Sequence, residues 1–80
     1  LGGVGVKRDP EEGISWLTKA GNLKDVGACL TLFTIYHHGI INHVQPDLIK
    51  TAAWIENAMS VDPNDPAVQY NWGLHLLSVN

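Results

Sequence analysis

The sequence predicts an all-helical chain of about four helices, arranged as stacked antiparallel pairs. Three observations predict it. Apolar residues recur at helical rather than strand spacing, caps and prolines punctuate four stretches, and the chain resembles itself at a fixed offset. Trp54 follows Trp16 by 38 residues, and at the same offset Asp47 answers Asp9, Ile55 answers Leu17 and Ala58 answers Ala20. Self-similarity with a period between roughly 20 and 50 residues marks stacked-repeat architectures, in which each helix pair buries its apolar stripe only against its neighbours. The expected fold is therefore an α-solenoid. Such folds usually bind partners rather than do chemistry.

The elements follow from the punctuation. Asp9-Pro10 reads as an N-cap followed by proline at the first helical position, with Glu11 and Glu12 in the first turn, where carboxylates suit the helix dipole. A first helix is expected near 10–20, ended at Gly21-Asn22 by a left-handed cap. Asp25 opens a second, near 25–38, in which Cys29, Leu32, Phe33 and Tyr36 fall at i, i+3, i+4 and i+7, a stripe that cannot lie on one face of a strand. It stops near Gly39, and a connector runs to Pro46. A third helix is expected near 47–60, with Leu48, Ala52, Ile55 and Met59 on one face and Lys50 and Glu56 on the other. The segment Asp62-Pro63-Asn64-Asp65-Pro66 is turn chemistry; Asp65 caps and Pro66 opens a fourth helix near 66–78, striped by Trp72, Leu76 and Val79.

Residues 1–80 are read as a single segment, since a chain of 80 residues makes at most one domain and lies near the lower edge of what buries a self-sufficient core. Only 16% of the residues are charged, against about 25% in an average soluble domain, while 45% are hydrophobic, so part of the surface is expected to be covered by something else. A net charge of −3 with five Lys and Arg offers no cationic footprint for phosphates, and nucleic acid is not expected as a partner. No apolar run reaches the roughly 18 residues of a membrane span. The single cysteine, Cys29, forms no internal bridge.

At this point the residues reach a family. The stretch from Gly3 to Gly21 resembles the Sel1-like repeat pattern, with Gly3, Gly5, Val6, Asp9, Trp16, Lys19 and Ala20 on its marked positions. Ala28, Leu32, Tyr36 and Gly39 match the following half, and Asp47, Lys50 and Trp54 begin the next repeat. Glu12 and Gly13 depart from the pattern, Thr51 replaces Ala, the connector lacks the glycine turn, and Phe33 replaces a small residue that lets two helices approach closely in the family. Phe33 thus implies either a splayed pair or a gap left by a smaller neighbour. Further on, Ala58 to Ala67 and Tyr70-Asn71-Trp72-Gly73 look like a tetratricopeptide junction. Trp72 lies 40 residues after Leu32, so the second interhelical loop should be two residues longer than the first. Both resemblances imply a right-handed stack of antiparallel helix pairs. The chain is then expected to be a piece of a longer array, with apolar faces at its ends open to neighbouring repeats or to self-association.

Residues with reactive chemistry have a plainer reading. His37, His38 and His43 are the nearest approach to a metal set, but adjacent histidines point about 100° apart on a helix and no Cys, Asp or Glu lies in that segment, so helix-end imidazoles near terminal carbonyls are expected. Cys29 lies on an apolar stripe as a core thiol. Gly2-Gly3-Val4-Gly5 has Arg8 where a phosphate loop needs its third glycine, and reads as a repeat turn. Glu11 and Glu12 share no helix face and form no acid–base pair. Trp16 and Trp54 are expected as packing residues in equivalent sites, rather than as a ligand platform, with Trp72 also in the core. No enzyme, cofactor or metal site is expected.

In the families resembled, the first helix of each pair lines the concave surface. Carried onto this chain, that face comprises Leu30, Thr31, Thr34 and His38 on the second helix and Tyr70, Asn71 and Leu74 on the fourth. Asn71 matches a position at which some tetratricopeptide domains hold a peptide backbone, while the cations of a carboxylate clamp are missing and Thr31 takes the equivalent place. The resemblance implies a protein-interaction scaffold that holds an extended or helical peptide or protein segment by apolar and amide contacts. The alternative is a non-catalytic substrate-docking region of a larger enzyme or complex.

Overall fold

The computed structural model describes residues 10–78, which form α1 (Pro10–Asn22), α2 (Val26–His38), α3 (Leu48–Val61) and α4 (Pro66–Ser78), with no strand among the described residues. The Asp9 cap, the turn from Gly2 to Gly5 and the stripe residue Val79 lie outside them. The aspartates inside this range cap as their positions require. Asp25 Oδ1 accepts the Ala28 N–H at 3.1 Å, Asp47 Oδ1 the Lys50 N–H at 3.1 Å, and Asp65 Oδ1 the N–H groups of Ala67 at 2.8 Å and Val68 at 3.3 Å. Each satisfies helix-start donors that have no partner within the helix.

α1 runs two residues past its expected end, and the left-handed residue is Lys24, with φ 72°, not Gly21. The Asp25 N–H reaches the Ala20 carbonyl at 3.1 Å and the Lys24 N–H reaches that of Gly21 at 3.0 Å, the paired bonds of a Schellman ending. Gly21 is therefore free to serve packing. A Cβ there would lie 2.6 Å from Cζ3 of Trp54, so only glycine seats the indole at this depth. The same carbonyl of Gly21 accepts from Asn57 Nδ2 at 3.4 Å and lies 3.7 Å from Cys29 Sγ. One residue ties the α1–α2 turn to both following helices.

α2 is the central element, flanked by α1 and α3, while α4 covers α3 and touches α2. Cys29, Phe33, Ile55, Ala58 and Val68 form the core cluster, with Leu32 and Thr51 also fully buried. Phe33 belongs to the core cluster with Cys29 and Ala58, and its ring centroid lies 5.9 Å from that of His37 and 6.3 Å from that of His75.

Two expected stripes are displaced. In α3, Leu48 is exposed and the buried line is Thr51, Ile55 and Ala58. Thr51 can be buried because its hydroxyl donates to the Asp47 carbonyl at 2.7 Å, which leaves no orphaned donor. In α4, Leu76 is exposed, and the inward line is Val68, half-buried Trp72 and His75, at i, i+4 and i+7. Counting histidine as polar hides that line; here His75 packs between Phe33 and Trp72, with ring centroids 6.3 and 5.7 Å away.

The two indoles occupy the same helical position but not the same surroundings. Trp54 packs on Gly21 and against the core, whereas Trp16 is 64% exposed, with Lys19 Nζ 5.0 Å from its ring centroid. The physical reason is the flanking: α3 lies between α2 and α4, and α1 has a described helix on one side only. The connector also holds more order than its sequence suggests. Ile40 and Val44 exchange two backbone hydrogen bonds of 2.8 Å across a tight turn in which Asn42 takes φ 67°, an isolated bridge rather than a strand. Gly39 enters that turn at φ 77°, where a Cβ would also meet the Val44 carbonyl at 2.7 Å.

Candidate peptide-binding face

α2 and α4 meet where Phe33 touches His75 edge to face. Leu30 lies one turn before Phe33 and Asn71 one turn before His75, and both are half-buried. Leu30 packs against the core. Outside the seam, Thr31, Thr34 and His38 are exposed on α2, and Tyr70 and Leu74 on α4. The hydroxyls of Thr31 and Thr34 donate to the carbonyls of Gly27 and Leu30, at 2.9 and 3.1 Å, so toward a partner they act as acceptors. Asn71 Nδ2 donates to the Ala67 carbonyl at 2.7 Å, which leaves its amide oxygen as the group for a partner N–H.

The α4 side of this face is apolar. Tyr70 is 68% exposed, Leu74 is exposed, and Leu77, at i+7 from Tyr70, continues the line at 74%. The residues of α4, Pro66 to Ser78, include no Asp, Glu, Lys or Arg. Leu77 was not among the residues expected on this face. Its signal was the 3–4 spacing Ala67, Tyr70, Leu74, Leu77, which runs beside the inward line and was masked by the apolar character of the whole helix.

A concavity of about 370 Å³ opens between the start of α1, the end of α2, the connector and the start of α3, lined by Glu11, Tyr36, His43, Asp47 and Lys50 among others. Lys50 Nζ lies 5.1 Å from the Tyr36 ring centroid. None of Leu30, Thr31, Thr34, His38, Tyr70, Asn71 and Leu74 lines it. Of the reactive groups, Cys29 is fully buried, and burial, with the Asp25 carboxylate adding to it, pushes its thiol above the ordinary value. That opposes thiolate chemistry. Rings of His37 and His38 meet edge to face at 4.8 Å, and among the described residues no three His, Cys, Asp or Glu side chains are grouped to hold a metal ion. No helix among the described residues is long and apolar enough to cross a membrane.

Compared with protein-family models, with curated proteins and with solved structures, the chain gives no match. The residues themselves therefore carry the functional reading.

Proposed function

We propose that this chain is a Sel1-like or tetratricopeptide-like helical-repeat module that binds a peptide or protein segment on the face formed by α2 and α4. The observation that carries the reading is the exposed line Tyr70, Leu74 and Leu77 on an uncharged helix. Contiguous exposed apolar surface of this kind marks interaction sites in soluble domains. Leu30, Thr31, Thr34, His38 and Asn71 supply the polar and apolar border along α2 and the seam. The partner segment lies along α4 with apolar side chains on Tyr70 and Leu74, and its backbone N–H groups meet hydroxyl and amide oxygens. With no dense charge of either sign on this face, affinity depends weakly on salt.

Capture of partners from the source cell by the wild-type chain, Tyr70→Ala and Asn71→Ala tests this. Truncating Tyr70 is expected to weaken binding by more than about 1 kcal/mol, as aromatic anchors dominate interfaces, with Asn71→Ala giving a smaller loss and both variants keeping their helix content. Undiminished binding by both variants would rule out this face.

A further inference from the structure

The repeat relation proposed above makes a second, separate prediction, because positions that match between helices differ in what covers them. At the 38-residue offset, Gly13, Leu17 and Ala20 of α1 correspond to Thr51, Ile55 and Ala58 of α3. The α3 residues are fully buried; Gly13 is exposed, and Leu17 and Ala20 are half-buried. At the 40-residue offset, Gln69, Gly73 and Leu76 of α4 correspond to Cys29, Phe33 and Tyr36 of α2. Cys29 and Phe33 are core residues, whereas Gln69 and Leu76 are exposed and a Cβ on Gly73 would meet nothing within 4 Å. The same holds for Gly13. The α1 surface left open among the described residues is thus the counterpart of the α3 surface that docks on α2. The open α4 surface is the counterpart of the α2 surface that receives it.

We infer that copies of this chain associate head to tail, α1 of one copy docking through Gly13, Leu17 and Ala20 on Gln69, Gly73 and Leu76 of the next, as α3 docks on α2. The occupant is a second copy because α1 carries Leu17 and Ala20 where α3 carries Ile55 and Ala58, with Gly13 smaller than Thr51, and the interface continues one already present within the chain. Two glycines meeting across it permit close approach of the helices. At the place corresponding to Gly21 stands Met59, an unbranched thioether with three rotatable bonds that yields to the incoming Trp16. A contact between surfaces on opposite ends of a molecule is heterologous, and one that does not close into a ring grows as an open chain. One helix laid on one pair buries little, at the low end of specific interfaces, so the association is weak, with Kd roughly in the micromolar to millimolar range.

The test is sedimentation velocity of the full 80-residue chain over a concentration series, alone and with two blocking variants, Gly13→Arg and Gly73→Arg. Neither new side chain starts against a packed atom, and each removes a helix-interior glycine, so helix content should hold by circular dichroism; if an arginine variant loses helix, the Gly→Glu change at that position replaces it. The wild type is expected to show an average sedimentation coefficient that climbs without a plateau at dimer. Each variant alone should stay monomeric, and an equimolar mixture should give a dimer, since Gly73→Arg keeps its α1 face and Gly13→Arg its α4 face. A wild type that stays monomeric throughout, a variant that still associates alone, or a mixture that stays monomeric would overturn the inference. Tyr70→Ala lies on the other exposed side of α4 and should leave self-association unchanged, so failure here is distinct from failure of the peptide-binding reading.

Discussion

Substituting Gly21 by alanine sets two effects of opposite sign against each other, and the geometry decides between them. Gly21 lies within α1 at helical dihedrals, so a methyl group there improves helix formation by about 0.5–1 kcal/mol. The same methyl would stand 2.6 Å from Cζ3 and 3.2 Å from Cη2 of Trp54, well inside van der Waals contact. Forcing an extra methyl into packed surroundings costs about 1–3 kcal/mol. The clash therefore wins, and Gly21→Ala is expected to destabilise the chain by about 1 kcal/mol, a fall in melting temperature of roughly 4–8 °C for a domain this small. Gly13→Ala is the internal control, because nothing lies within 4 Å of its new methyl, and it should stabilise by about 0.5–1 kcal/mol. Moving Gly21→Ala into a Trp54→Ala background removes the obstacle, leaves only the propensity gain, and makes the change stabilising; the coupling between the two sites should be about 1–3 kcal/mol. Urea denaturation followed by far-ultraviolet circular dichroism measures all four corners of the cycle, with an unchanged m-value as the check that only stability moved. If Gly21→Ala stabilised as Gly13→Ala does, Trp54 would not rest on Gly21, and the joint between the α1–α2 turn and α3 would be wrong.

Other expectations follow from the same packing. Trp54→Ala should cost about 3 kcal/mol, as for large aromatic truncations in cores, while Trp16→Ala, on an exposed face, should cost less than about 1 kcal/mol; chemical denaturation of the two separates helical position from burial. Asp47→Ala removes the acceptor for the Lys50 N–H and should cost about 1 kcal/mol, with Asp47→Asn recovering most of it. Burial, with the Asp25 carboxylate adding to it, raises the folded Cys29 thiol above its unfolded value, so its contribution to stability is complete below the unfolded value and is lost as pH rises through the folded one, because the unfolded chain ionises first. The difference in stability between the wild type and Cys29→Ala should accordingly shrink as pH rises above about 8.5, the unfolded thiol value, and a difference independent of pH would contradict a desolvated thiol.

The parts of the fold that local chemistry dictates were legible in the sequence. Asp25, Asp47 and Asp65 are short acceptors placed before apolar periodic runs, and each caps the helix it precedes. The α2 stripe was equally plain, since Cys29, Leu32 and Phe33 share one face whatever their neighbours. What depends on a distant partner was not legible. The role of Gly21 is set by an indole 33 residues away in the sequence, and a glycine near a helix end reads locally as a cap. Lys24 took the left-handed position instead, because the Schellman bonds from Lys24 and Asp25 close the helix one turn later. On α4, apolar residues cover so much of the circumference that periodicity alone selected Leu76 over His75 as an inward residue. The same ambiguity left Leu77 out of the candidate face, whereas the 38-residue match to Trp54 put Trp16 into a core that does not reach it.

The claim that α4 presents a peptide-binding face is tested most directly by selecting ligands from a random-peptide library on the immobilised chain, then measuring their affinity at low and high salt for the wild type, Tyr70→Ala and Leu74→Ala. The account predicts apolar ligands whose affinity changes little with salt and falls by more than about fivefold, equivalent to roughly 1 kcal/mol, when either side chain is truncated. Ligands rich in one charge, strongly salt-dependent and indifferent to both substitutions would contradict it.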